Sequence, residues 1–114
     1  MIAQGHILHV TDQETWEALG PTGAYVPAAY DDEGFIHCCD AGQLVDVLER
    51  HFQDTTEVTL LVVDPSLLTA DVRYEEGNPG ELFPHIYGPI ETAAVVSVIS
   101  VGSTDGTWDL SVLG

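Results

Sequence analysis

Apolar side chains recur along this chain in two rhythms, every second residue and every third or fourth, and the changes of rhythm set out its elements. After Glu57, residues 58–63 are apolar except for Thr59, which predicts a central strand over 57–63 covered on both faces. Residues 5–10 read as an earlier strand, with Ile7 and His9 on one face and His6, Leu8 and Val10 on the other. Thr11-Asp12-Gln13-Glu14 has the form of a capping box. The helix behind it carries Trp16 and Leu19 on one side and stops at Gly20-Pro21. A connection of Gly, Pro and small residues fills 21–33, with Tyr25 and Tyr30 as its large groups. Asp32-Glu33-Gly34 then turns into the run 35–39, where Phe35, His37 and Cys39 share one face and Ile36 and Cys38 the other. Asp40 and Gln43 make a second capping box, followed at helical spacing by Leu44, Leu48, His51 and Phe52, with Val45 beside them. Asp64-Pro65-Ser66 turns the chain, with Leu67 and Leu68 packing down. Residues 71–75 predict a short strand, 76–84 a long loop marked by Gly77, Pro79 and Gly80, and 95–101 a β-branched strand. Asp105-Gly106 is a turn signal, and Trp108, Leu110 and Val112 alternate after it, so 102–114 predicts a C-terminal hairpin.

At 114 residues, 45% of them hydrophobic, with no repeat or linker, residues 1–114 are expected to form one domain. No stretch is long and apolar enough for a membrane helix. The opening residues lack the basic and apolar regions of a signal peptide, so a cytoplasmic protein is expected. Cys38 and Cys39 are adjacent, which disfavours a disulfide framework and lacks the C-x-x-C spacing of a zinc or redox site. Charge changes the picture most: 19 acidic residues stand against two arginines, Arg50 and Arg73, for a net charge of −17. Such a surface repels phosphate backbones and anionic lipid, which argues against nucleic acid and membrane partners.

Two histidines end strands just before capped helices, His9 and His37. Such a position can orient a ligand or tune a pKa, although one histidine so placed is as readily a buried residue satisfied by a carbonyl. Residues 80–89 form a second dense patch, where two prolines and two glycines fix the backbone around Glu81, His85 and Tyr87. This is either a site or a stiff turn at a sheet edge.

His9 before a capped helix, Gly34-Phe35-Ile36-His37-Cys38, Arg73-Tyr74-Glu75 and Phe83-Pro84-His85-Ile86-Tyr87-Gly88-Pro89 together resemble the small bacterial DUF952 family, over about residues 6–101. Where members usually carry Ser-Thr after the first cysteine, this chain has Cys39-Asp40. The resemblance implies an α+β fold like that of ADP-ribosyltransferases: two small, bent, mostly antiparallel sheets around a cleft, with flanking helices. It also implies a nucleotide-like small molecule in that cleft, NAD above all, with transferase or glycohydrolase activity by likeness of fold. On that reading His9 touches the nicotinamide-side ribose, while His37, Glu81, His85 and Tyr87 supply the later motif residues. Glu75 and Glu81 are both candidates for the catalytic carboxylate that stabilises an oxocarbenium-like state. Tyr25, Tyr30 or Phe35 can stack on a flat ring, and the diphosphate has only Arg50, Arg73, backbone amides and helix N-termini to rely on. A relative acting on RNA ends needs a basic groove that this chain lacks.

Two alternatives stand beside it. His9, His37, His85 and an acid are the right residue types for Zn²⁺ or another ion, and a non-catalytic interaction module needs none of this chemistry. The site reading requires His9, His37 and His85 in one cleft, with His6 and His51 elsewhere. The charge carries its own prediction. At −17 the folded chain repels itself, so the thermal midpoint should rise from low to moderate sodium chloride. A flat or falling midpoint would mean that the carboxylates are already compensated.

Overall fold

The computed structural model describes residues 5–111. Strand β1 (Ile7–Thr11) leads into helix α1 (Gln13–Leu19), whose cap is Asp12 and not Thr11. Asp12 sits in extended conformation and accepts from the Thr15 backbone at 2.7 Å, while Thr11 remains the last residue of the strand. The expected connection over 21–33 holds a short strand, β2 (Ala24–Tyr25), and one helical turn, α2 (Tyr30–Glu33). Gly34 ends that turn at φ 81°, a left-handed conformation that costs glycine nothing, and redirects the chain into β3 (Ile36–His37). The Asp40/Gln43 capping box is present and opens a 3-10 turn (Ala41–Gln43) that runs into α3 (Leu44–His51). Leu44 and Leu48 are buried, but Val45 faces outward and Val47 packs in its place.

The central strand is β4 (Glu57–Val63). After it a 3-10 turn (Pro65–Leu67) leaves Leu67 exposed, so only Leu68 packs down. The expected loop over 76–84 is instead a hairpin: β5 (Asp71–Asn78) turns at Pro79-Gly80 into β6 (Glu81–Tyr87). The loop expectation failed because β5 runs on past its alternating part through Glu76, Gly77 and Asn78, which carry no apolar side chain, and because a proline stands inside β6. A short β7 (Ile90–Glu91), the long β8 (Val95–Thr104) and β9 (Thr107–Trp108) complete the chain. The C-terminal hairpin turns at Asp105-Gly106, and Val112 lies outside the described residues.

All the pairings are antiparallel. β4 lies between β1 and β8 in a four-stranded sheet that ends in β9; β3-β6-β5 form a second sheet, and β2 pairs with β7. Both faces of β4 are covered, as its apolar run requires. Leu61 and Val63 pack with Ile7 against Tyr25, Ile36, Ile86 and Ile90, so one core lies between the sheets. Leu60 and Val62 pack with Leu8 and Cys39 under Leu44 and Leu48 of α3.

Pro84 explains how the two sheets are joined. Its carbonyl accepts from the Cys38 amide at 3.1 Å. The N–H and C=O of one strand residue point the same way, so the proline nitrogen also faces β3 and has no proton to return to it. Pairing with β3 therefore stops at His37. Cys39 instead exchanges two hydrogen bonds with Leu8 of β1, each 2.8 Å. Among the described residues no helix is long and apolar enough to cross a membrane. Leu8 sits fully buried at that crossing, so Leu8→Ala should cost about 2–5 kcal/mol in urea unfolding. A loss within about 0.5 kcal/mol, the usual range for surface changes, would mean the crossing is not a packing centre.

Candidate functional site

The strand register decides which side chains share a wall. His37 lies opposite His85 across β3 and β6, and Arg73 opposite His85 across β6 and β5. With a period of two, Phe35 and His37 lie on the same face of this sheet as Arg73, Glu75, Phe83, His85 and Tyr87. Gly77 makes room at the edge, since a Cβ there would stand 2.6 Å from the Phe83 ring. The result is an aromatic and polar face. Phe35 stacks on His85 with centroids 4.1 Å apart and planes 15° apart, and His37 stands edge-on to His85 at 5.3 Å.

Two adjoining cavities open in front of this face. The first, of about 360 Å³, is bounded by His9 and Val10 of β1, His37, Phe83 and His85, and Arg50 and His51 at the end of α3. The second, of about 500 Å³, lies beyond His9 and His37, against Tyr25, Tyr30, Glu33 and Phe35. Both are within the size range of small-molecule sites.

The three cleft histidines do different work. His9 is buried, its Nδ1 is 2.7 Å from the carbonyl of His37, and its Nε2 is 3.0 Å from the Tyr25 hydroxyl. A carbonyl only accepts, so Nδ1 carries the proton. The neutral ring then accepts at Nε2 from Tyr25, whose oxygen accepts in turn from the Thr11 hydroxyl at 2.8 Å. Burial dominates its titration and lowers its pKa to about 4, against a smaller opposing effect of the carbonyl bond. Both nitrogens are thus committed within the protein. His37 is largely exposed and meets Glu33, one helical turn earlier.

His85 is buried, and its Nδ1 donates to Glu75 Oε1 at 3.0 Å. The same carboxylate oxygen accepts from the Tyr87 hydroxyl. These two bonds, that of Tyr87 first, hold the Glu75 carboxyl below its usual range, and Glu75 raises the Tyr87 phenol in return. The Arg73 guanidinium lies 4.6 Å from the centre of the Tyr87 ring. Among the described residues the His85 Nε2 has no hydrogen-bond partner, and the residue lines the first cavity. An imidazole oriented at one nitrogen by a carboxylate, on a residue that lines a cavity, can serve in proton transfer.

The remaining candidates are placed as follows. Tyr30 and Phe35 line the second cavity. Tyr87 lines neither cavity and acts on Glu75. Glu81 also lines neither: it accepts from Asn78 Nδ2 at 3.2 Å and from Gln43 Nε2 at 3.4 Å, bracing the hairpin against the start of α3. His51, expected elsewhere, stands on the wall of the first cavity, whereas His6 is 3.8 Å from Asp64 and lines neither. Arg50, one of the two arginines the sequence offers to a diphosphate, stands on the wall of the first cavity together with Asp46, which the sequence reading missed and which the i, i+4 pairing with Arg50 on α3 could have signalled. The cysteines are buried, which raises the Cys38 thiol well above its ordinary value and takes Cys39 to about 12, so neither is a ready nucleophile. Among the described residues no three His, Cys, Asp or Glu side chains are grouped to hold a metal ion, with the His9 nitrogens already committed.

Fold and site together define a small α+β domain of antiparallel sheets with a histidine-lined cleft. The chain belongs to the DUF952 family, described as a protein of unknown function, which residues 10–98 match. Among solved structures it is similar to protein CC0527 from Caulobacter crescentus. The X-ray structure shares 24% identity at a TM-score of 0.83, covering 95% of this chain and 96% of that one. The solution NMR structure of CC0527 shares 22% identity at a TM-score of 0.79, covering 94% and 93%. At that identity the likeness establishes the fold alone. A comparison with curated proteins found no match.

The state of His9 makes stability depend on pH. Its pKa falls from 6.5 to about 4 on folding, so between those values the unfolded chain binds a proton that the folded one does not. The His9 contribution is therefore complete above about pH 6.5 and is lost as pH falls toward 4, by about 3 kcal/mol in all. Denaturant unfolding across that window should show this slope in the wild type and a shallower one in His9→Gln, which cannot titrate. Equal slopes would rule out His9 as the titrating group.

Proposed function

We propose that the cleft binds NAD or a similar nucleotide-like molecule, and that Glu75 and His85 provide the acid–base chemistry of a glycosyl transfer or hydrolysis, in the manner of an ADP-ribosyltransferase-like enzyme. One observation carries the reading: His85 is buried, oriented by Glu75 at 3.0 Å, and lines a cavity that His9 and His37 also line. On this reading the flat, electron-poor nicotinamide ring lies in the second cavity near Tyr30, Phe35 and Glu33. Arg50 on the wall of the first cavity meets the phosphates. The bond from the ribose to nicotinamide breaks as an acceptor hydroxyl or water attacks, and His85 Nε2 takes the acceptor's proton. Of the two candidate glutamates the reading uses Glu75, because Glu81 is turned to Gln43 and Asn78. His9 holds the His37 backbone and positions the wall. A chain of net charge −17 leaves nucleic acid and anionic membrane outside the reading.

Calorimetry with NAD, paired with an assay for free nicotinamide, tests this. Wild type should bind and release nicotinamide. Glu75→Gln and His85→Ala should lower release by about 10²–10⁴-fold, the usual worth of a general acid–base group, while binding changes by less than about tenfold. Glu81→Gln should leave both unchanged. Absence of heat and of nicotinamide release would overturn the reading and leave a non-catalytic module.

A further inference from the structure

A carboxylate on an exposed edge strand has little packing to hold it, and a long side chain gives up rotamer freedom to stay in one place. Glu75 is such a group. It stands on β5, the edge of the sheet β3-β6-β5, with its side chain 41% exposed. What fixes it comes from β6. His85 and Tyr87 are two residues apart and so share one face of that strand. Both meet the same oxygen, Glu75 Oε1: His85 through Nδ1 at 3.0 Å, and Tyr87 through its hydroxyl. The register shows how far Tyr87 reaches to do so. Glu75 lies opposite Phe83, Arg73 opposite His85 and Asp71 opposite Tyr87. The phenol therefore leans back along the sheet past Arg73, whose guanidinium sits over its ring at 4.6 Å from the centre. The ring is held at its face by a cation and at its hydroxyl by a carboxylate. Of the two bonds that lower the Glu75 carboxyl, that of Tyr87 has the larger effect.

We propose that Tyr87 is a positioning residue: its hydroxyl keeps Glu75 Oε1 on His85 Nδ1, and so keeps the proton of the neutral His85 ring on that nitrogen. A carboxylate only accepts, so the nitrogen that meets it carries the proton and the neutral ring has its acceptor at Nε2. With Oε1 already held by Tyr87, less freedom is lost when His85 forms the second bond. Tyr87 lines neither cavity and reaches the cleft through Glu75 alone. What it does for the rate rests on the reading above, in which His85 Nε2 takes the acceptor's proton. What it does for the ring is independent of that reading.

Proton NMR of the whole chain at mildly alkaline pH tests this, since Glu75 raises the Tyr87 phenol and helps it keep its proton there. Wild type should show a low-field His85 Nδ1 proton, assigned by its loss in Glu75→Ala. Tyr87→Phe leaves the ring under Arg73 and removes one oxygen from a partly buried side chain, so the amide spectrum should stay near wild type. It should speed exchange of the Nδ1 proton with water by about two- to tenfold, the worth of one lost hydrogen bond. Unchanged exchange in Tyr87→Phe overturns the proposal, as does a wild type with no such proton or with His85 protonated at Nε2. None of these readouts uses NAD. A chain that neither binds NAD nor releases nicotinamide therefore overturns the function proposed above and leaves the role of Tyr87 standing. Where nicotinamide is released, Tyr87→Phe should lower kcat by about two- to tenfold with KM nearly unchanged. A kcat at the wild-type level beside faster exchange would overturn the effect of Tyr87 on the rate.

Discussion

The structure turns on a missing proton at Pro84. Because the proline nitrogen cannot donate, the pairing of β3 with β6 ends at His37, and the next residues leave one sheet for the other. Cys38 keeps one bond to Pro84 and fills the core between the sheets; Cys39 bonds Leu8 and fills the core under α3. Four residues, Ile36 to Cys39, thus pass from one core to the other. That crossing sets the angle at which His37 and His85 face β1. The His37 carbonyl, on the side of β3 turned away from β6, accepts from His9 Nδ1 at 2.7 Å. The cleft exists because the chain changes sheets at this point, and the histidines meet there for the same reason.

Environment separates His9 from His85, although both are buried. His9 has a carbonyl and a phenol as partners, neither of which compensates a positive ring, so burial keeps it neutral. It ties β1, β2 and β3 together as a polar strut inside an apolar wall. His85 has the Glu75 carboxylate as its partner at Nδ1, which fixes the orientation of the ring. In the same cleft one imidazole has both nitrogens bonded within the protein, while the other is bonded at Nδ1 alone among the described residues.

Much of this was legible in the sequence where a single local rule applied. The apolar run from Val58 to Val63, interrupted only at Thr59, identified β4 as central, and Asp40 with Gln43 marked the start of α3. Asp105-Gly106 marked the last hairpin. The rule failed where two rules competed. Asp12 and Thr11 are both good caps, and Thr11 was already claimed by its strand and by Tyr25. Over 76–84, proline and glycine argued for a loop, yet Pro84 is tolerated in β6 because its nitrogen faces the place where β3 stops. Missing that hairpin hid the β5–β6 register, and with it the different placements of Glu75 and Glu81. Once Glu75 stands opposite Phe83, it lies one diagonal step from His85, whereas Glu81 lies beside Asn78 at the far end.

The wall that holds Arg50 bears on how any anionic ligand is held. Arg50 and His51 belong to the last turn of α3, where the helix presents carbonyls and the negative end of its dipole. That end favours cations, and the Arg50 Nε already donates to Asp46 at 3.0 Å. The guanidinium therefore offers only its remaining donors to a phosphate, within a chain of net charge −17. Phosphate contributes little to affinity in such a place. The rings of Phe35 and Tyr30, the imidazoles of His37 and His85 and the carboxylate of Glu33 make up more of the two walls than Arg50 does, so the cleft offers aromatic and hydrogen-bonding surface with little positive charge.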